Sequence, residues 1–172
     1  MLKRLERESS LPLPSLSDRA PLKFQFERLA AIAREIAPLM VLHWRGAPEP
    51  YRRVPLDIDW TRAFVTDEMG HMHILTARDG ERLVGYVINH VVNPVMHNGS
   101  KWSFVEGIFL LPEYREGWNG YNLIKKNDKG MKMLGVNVIK FYFPVNTFEV
   151  LLRRLKYEFL EAGAFKFLGD QK

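Results

Sequence analysis

The stretch that most constrains this chain runs from Lys101 to Phe143. A largely apolar, strand-like segment, Lys101 to Leu111, is stopped by Pro112. Gly117 and Gly120 punctuate the turn that follows, and Gly120 to Leu134 then carries Leu123, Ile124, Met131 and Leu134 on the inner side of a helical pattern ended by Gly135. Gly130 is tolerated inside that helix at some cost in stability. Val136 to Phe143 returns to an apolar strand, expected to be central in its sheet. Strands flanking helices in this half of the chain point to an α/β sheet.

The rest of the chain fits around that core. Residues 1–20, with Ser9-Ser10, Pro12 and Pro14, read as an irregular arm, and 21–172 as a single domain. Phe26, Leu29, Ile32, Ala33, Ile36 and Met40 recur at helical spacing, with Pro38 expected to kink or restart the helix because it has no N–H to donate. Gly46-Ala47-Pro48-Glu49-Pro50 breaks the chain, and Trp60 to Met69 is a second helix with Asp59 as N-cap and Gly70 as its end. His71–Ala77 and Arg82–Val92 are strand-like and flank Asp79-Gly80, a strong hairpin signal because glycine adopts the positive φ such turns need. Beyond Phe143, a short helix over Thr147–Leu155 and a closing strand over Tyr157–Phe167 complete the pattern.

Composition excludes several functions. The 172 residues suit one domain with a sizeable core, and no segment is apolar for long enough to span a bilayer. There is no cysteine, which rules out disulfides, zinc–thiolate sites and thiol nucleophiles. The charged start, Met1 to Glu8, lacks the apolar run of a secretory signal, and the expectation is the cytoplasm. A net charge of +5 favours anionic partners, whether nucleic acid, a phosphorylated cofactor or an acidic protein surface. The basic residues are scattered, with local groups at Lys125, Lys126, Lys129 and Lys132 and at Arg153, Arg154 and Lys156, and no nucleic-acid recognition signature joins them. Nucleic acid is therefore not the expected partner.

The turn between Leu111 and Tyr121 has two readings from its residues alone. A helix N-terminus presents free amides and a positive dipole end to an anion, and Gly117 and Gly120 permit close approach of a phosphate with Arg115 as a nearby cation. An ordinary strand-to-helix turn would look the same.

The wider pattern resembles the GCN5-related N-acetyltransferase (GNAT) superfamily over about residues 75–170. Asp79-Gly80-Glu81-Arg82-Leu83-Val84-Gly85-Tyr86 is similar to the hairpin joining that family's second and third strands. The segment Leu110 to Ile124 resembles its cofactor motif, hydrophobic-x-Pro-x-Tyr-Arg-x-x-Gly-x-Gly/Ala leading into a helix, and Leu134-Gly135-Val136 resembles the exit from that helix. A narrower resemblance, to compact N-acetyltransferases of tailed bacteriophages, implies action in the cytoplasm of an infected bacterium. The superfamily implies a mixed central sheet with two splayed parallel strands, flanked by helices, that holds acetyl-CoA between those strands. By that resemblance Phe109 and Leu110 meet the pantetheine, and Arg115, Glu116, Gly117, Trp118, Asn119, Gly120 and Tyr121 surround the pyrophosphate. Asn146 follows the next strand as an asparagine often does in the family, and the amide near Leu110 stabilises the tetrahedral oxyanion. Trp118 stands where a glycine is usual, with Gly117 before it. The usual tyrosine acid falls on Leu152 or, in another register, Phe159, which leaves Tyr157 as substitute.

Transfer to an amine needs a base, because the amine is protonated at neutral pH. Glu106 is the preferred candidate: it lies four residues before Leu110, on the same face if alternation is unbroken, where burial would raise its pKa. A solvent-facing or salt-bridged glutamate is the alternative. Gly107 fits a bulge that splays the strands, or simple crowding against a helix. His90 and His97 are further candidate bases, and Trp44, Tyr51, Trp60 and Trp102 either line an acceptor pocket or belong to the core. His71-Met72-His73 has no companion ligand, and no metal is expected. The expected activity is N-acetyl transfer from acetyl-CoA to an amine of a protein, such as a host protein, or of a small molecule. The alternative is a binding module on the same scaffold that modulates a host protein without catalysis.

Overall fold

The computed structural model describes residues 21–142 and 148–159. Five strands form one sheet in sequence order: β1 (Lys23–Glu27), β2 (Met72–Asp79), β3 (Arg82–Val92), β4 (Trp102–Leu110) and β5 (Val138–Phe141). β1 to β4 are mutually antiparallel, whereas β5 runs parallel to β4, because the chain crosses over through a helix before returning. The helices are α1 (Leu29–Gly46), α2 (Glu49–Arg52), α3 (Trp60–Glu68), α4 (Asn119–Met133) and α5 (Glu149–Arg154), with a 3-10 turn at Pro112–Tyr114. Among the described residues no helix is long and apolar enough to cross a membrane.

Alternation along β3 assigns the layers. Tyr86 bonds His43 of α1, so Tyr86, Ile88 and His90 face α1 and α3, whereas Asn89 bonds Asn127 and faces α4. The Asn89–Asn127 pair is fully buried and is completed by Ser103 of β4, whose hydroxyl donates to the Asn89 side-chain carbonyl at 3.1 Å. This network fixes α4 against the middle of the sheet. On the other face Ile32, Ile36 and Leu39 of α1 pack on Ile74 and Ile88 in the core. Asp67 of α3 accepts from the Leu29 amide at 3.1 Å and pairs with Arg28, which caps α1 from a neighbouring helix because Arg28 offers no cap of its own.

Two sequence expectations change. Phe26 belongs to β1, opposite Leu75, rather than to a helix: Arg28 is extended (φ −73, ψ 141) and the helix starts at Leu29. Helical spacing ran on into β1 because a partly exposed strand also carries apolar residues at Phe24 and Phe26. Pro38 does not restart the helix: α1 runs through it, and its buried stripe of Leu29, Ile32, Ile36 and Leu39 outweighs one missing hydrogen bond. β5 ends the described sheet with its four residues half-buried, and most of the closing strand expected after it lies outside the described residues.

The remaining elements follow their local signals. The Asp59 side chain accepts from the Arg62 amide at 2.9 Å at the start of α3. Gly80 takes φ +56 between β2 and β3. Residues 155–159 follow α5 without strand pairing, and 160–167 of the expected closing strand lie outside the described residues, as do the arm at 1–20 and Asn146.

Candidate active site

β4 is bulged in the middle. Val105 opposes Asn89 and Gly107 opposes Ile88, which leaves Glu106 as the extra residue. A Cβ at Gly107 would sit 3.4 Å from the His43 ring, so the two readings of this glycine hold together: it is part of the bulge and a helix crowds it. The bulge shifts the alternation by one. Glu106 therefore shares a face with His90 and Phe109, and Leu110, opposite Gly85, points to the other side. The expected common face of Glu106 and Leu110 is corrected by that inserted residue.

Glu106 is paired: its carboxylate lies 2.5 Å from His90 Nε2. The His90 hydrogen bond holds the Glu106 carboxyl below the usual carboxylate range, outweighing the upward pull of burial. The expected raised pKa is thus reversed, since the side chain is 62 % exposed and has a partner. Glu106 is thus a hydrogen-bonded carboxylate rather than an isolated one.

Beside the pair lies a second couple that sequence reading missed. Tyr86 and His43 Nδ1 are 2.8 Å apart, and the His43 ring stacks on Phe109 at 5.3 Å. Burial, assisted by the Arg115 charge, lowers the His43 pKa, and burial together with the Glu106 charge raises that of Tyr86. Both are therefore neutral near pH 7. The signal was present in α1, where His43 continues the stripe of Ile36 and Leu39 at helical spacing, a polar residue in an apolar row.

The outer edge of β4 faces β5. The two strands pair from Trp102–Val138 to Val105–Phe141, and residues 143–147 beyond them lie outside the described residues. The Leu111 amide donates to Val84 at 2.9 Å, so the Gly85–Leu110 pair is the one whose backbone groups point away from β3. The Leu110 amide thus points to the β5 side, and its carbonyl accepts from Arg115 Nε at 2.7 Å. By the same alternation the backbone of Phe109 is engaged with Tyr86, which corrects its expected backbone role. What it brings to the site is its ring, with the Arg115 guanidinium 5.5 Å from the centroid.

The turn is anchored at both ends. The Tyr114 hydroxyl donates to Asp79 at 2.8 Å, which ties it to the β2–β3 hairpin, and the Asn119 amide group donates to the Tyr114 carbonyl at 3.1 Å. Gly117 has φ +65 with nothing within 4 Å of a Cβ position, and a Cβ at Gly120 would meet only Leu151, at 3.7 Å. Trp118 precedes α4 without a side-chain cap, so the first-turn amides of Asn119, Gly120 and Tyr121 have no intrahelical acceptor. Trp118 itself is 61 % exposed and meets Tyr121 edge-on at 5.3 Å, and Glu116 is exposed beside it.

Other candidates lie elsewhere. The Tyr157 hydroxyl donates to Asp128 of α4 at 2.6 Å and the ring packs on Phe141, while burial, with the Asp128 charge second, raises its pKa. It is a committed donor and is not joined to Glu106. His97 stacks on Trp102 at 4.8 Å, and the Trp44 indole donates to the Val54 carbonyl. Of the four aromatic residues named for an acceptor pocket, only Trp60 lines the cavity beside Glu106. His71 and His73 bond separate carbonyls, of Val91 and Gly70, and no group of three potential metal ligands converges among the described residues.

No protein-family model and no curated protein sequence matches the chain. Solved structures do. A ribosomal-protein-alanine N-acetyltransferase from Brucella melitensis biovar Abortus 2308 superposes with a TM-score of 0.64 at 16% identity, over 87% of this chain and 99% of that one. AAC(6')-Iy, in complex with the bisubstrate analogue CoA-S-monomethyl-acetylneamine, gives 0.66 at 15%, over 88% and 100%. The chain has the GNAT fold. Glucosamine-6-phosphate N-acetyltransferase from Arabidopsis thaliana shares it at a TM-score of 0.64 and 12% identity, over 86% of this chain and 99% of that one. In the GNAT frame, the parallel β4–β5 pair and the turn into α4 are the features that the sequence resemblance singled out.

Proposed function

We propose that the protein is an N-acetyltransferase that moves an acetyl group from acetyl-CoA to an amine. The observation that carries this reading is the convergence at the end of β4. The Leu110 amide, turned away from β3, and the uncapped start of α4 both lie where β4 leads into the turn, and the Glu106–His90 pair stands on the neighbouring face. The GNAT fold, shared with AAC(6')-Iy bound to a CoA-bearing analogue, supports the same reading.

The donor set fits such a cosubstrate. Gly117 and Gly120 leave room beside the amides of Glu116 to Tyr121, which suits a pyrophosphate, and Arg115 adds positive charge next to them. Asn146 is assigned to the same role on the sequence resemblance alone. Acetyl-CoA, when bound, supplies the acyl group as an activated thioester. The Leu110 N–H, held rigidly by the sheet, donates to the oxygen on which negative charge gathers during transfer. Glu106 takes the proton that the incoming ammonium must lose, directly or through a water, and His90 holds the carboxylate in place. The products are an N-acetyl amide and the CoA thiol.

The test is calorimetric titration with acetyl-CoA, followed by thiol release in the presence of amines. Wild type binds acetyl-CoA and releases CoA only when an acceptor is present. Glu106→Gln lowers kcat by about 10²–10⁴-fold and leaves the acetyl-CoA Kd within twofold. Failure to bind acetyl-CoA removes the proposal, and an unchanged kcat in Glu106→Gln removes the base from it.

A further inference from the structure

On the α1–α3 face, directly beside Glu106, the fold encloses a cavity of about 440 Å³. That volume lies within the range of roughly 300–1,000 Å³ usual for small-molecule sites. Ile36 and Met40 of α1, Ile74 of β2, Ile88 of β3 and Ile58 of the loop before α3 make its walls, with Trp60 beside them. Its charged groups are few and one-sided. Glu106 lies at the sheet end, Asp57 and Asp59 lie in the loop before α3, and Arg62 is the one cation that is permanently charged among the lining residues. The Asp57 carboxylate has no hydrogen-bond or ion-pair partner among the described residues, whereas Asp59 is occupied in capping α3.

We infer that this cavity selects the acceptor, and that the acceptor is a primary amine carried on an apolar alkyl or aryl body. The inference rests on the acetyltransferase reading and deepens it. Three carboxylates against one guanidinium draw an ammonium group toward Glu106 and repel a phosphorylated amine. Aliphatic walls gain by covering apolar carbon, and they offer no partner to the hydroxyls of a sugar amine, which lose their water on entry. This acceptor class differs from the sugar amine in the name of the Arabidopsis protein of the same fold.

The experiment measures kcat/KM for CoA release by the 172-residue protein at saturating acetyl-CoA. The acceptors are ethylamine, butylamine, hexylamine, 2-phenylethylamine, glucosamine-6-phosphate and neamine. From ethylamine to hexylamine kcat/KM rises by up to about fourfold per methylene, and hexylamine and 2-phenylethylamine exceed both sugar amines by about tenfold or more. Ala63→Phe, which fills the cavity from α3, lowers kcat/KM for hexylamine by about tenfold without changing the acetyl-CoA Kd. Should Ala63→Phe fail to fold, Asp57→Asn on the surface decides instead, by raising the KM for hexylamine several-fold. Titration of hexylamine alone shifts the Trp60 indole signal in the NMR spectrum. Rates flat with chain length, a preference for the sugar amines, or variants without effect overturn the inference while leaving acetyl-CoA binding intact. Acetyl-CoA binding with no release from any of these amines also overturns it. Loss of acetyl-CoA binding in the wild type instead removes the acetyltransferase reading, and the inference with it.

Discussion

Gly85 lies opposite Leu110, and replacing it with alanine tests how tightly the sheet holds the Leu110 amide. A Cβ at Gly85 would lie 2.6 Å from Leu110 Cδ1, 2.7 Å from the Phe109 carbonyl oxygen and 3.2 Å from Leu110 Cα. The leucine side chain can swing aside. The carbonyl and the Cα cannot, unless β4 itself moves. Alanine in place of a strand glycine gains roughly 0.5–1 kcal/mol from lower chain entropy, and overpacking against backbone costs about 1–3 kcal/mol. The net expectation is a loss of about 1–2 kcal/mol, or a fall in Tm of roughly 2–8 °C for a chain of this size. Activity should suffer more than stability does. Misplacing a reacting group by about 1 Å costs on the order of 10²-fold, and a few tenths of an ångström at Leu110 should lower kcat by about tenfold. Thermal melts and CoA release on the purified variant measure both. An unchanged or raised Tm with full kcat refutes the argument, for it would mean that β3 and β4 separate freely where the structure has them in contact.

Three further outcomes follow from the same structure. Burial acts to raise the Glu27 pKa, but hydrogen bonds from Arg78, Thr76 and Gln25 prevail and hold it at about 2, against 4.5 for a free glutamate. A depressed carboxylate contributes stability above its unfolded pKa and loses it as pH falls toward the folded value, so the unfolding free energy from urea titrations should drop by on the order of 2 kcal/mol between about pH 4.5 and 2, and Glu27→Gln should flatten that limb. Gly117→Ala, at φ +65, should cost about 1–2 kcal/mol of backbone strain and weaken acetyl-CoA several-fold in calorimetry; an unchanged Kd would detach the turn from the phosphates. Because His90 holds Glu106 down, the acid limb of a kcat/KM pH profile should move to higher pH when His90 is replaced by alanine, and an unmoved limb contradicts the pairing.

The sequence disclosed elements whose signals are local. Asp79-Gly80 makes its hairpin, Asp59 caps α3, and Pro112 and Gly117 mark the turn before α4, since each depends on its own backbone and immediate neighbours. What escaped depends on partners far along the chain. β1 is a strand because Lys23–Glu27 meets Ile74–Arg78, about fifty residues on, and its five residues alone carry too weak a pattern. Glu106 could be singled out as a charge in an apolar strand, but its face could not, since one inserted residue reverses all alternation beyond it. His43 and Tyr86 lie 43 positions apart, and nothing near either of them announces the other.

One backbone irregularity arranges the whole site. Gly107 lacks a side chain where His43 approaches, which lets α1 settle close to the sheet and brings His43 to Tyr86 and Phe109. The extra residue in β4 turns Glu106 toward His90 and the α1–α3 cavity. Beyond the bulge the regular pairing with β3 resumes, which fixes the phase in which the Leu110 amide points toward β5. Had the strand alternated without a break, Glu106 and Leu110 would have shared a face, and the carboxylate would have turned toward α4, away from the cavity. The acidic group and the edge amide therefore owe their placement to the same inserted residue. The base and the backbone donor of the proposed transfer are set by one local choice of Val105-Glu106-Gly107, and neither can be moved without disturbing the other.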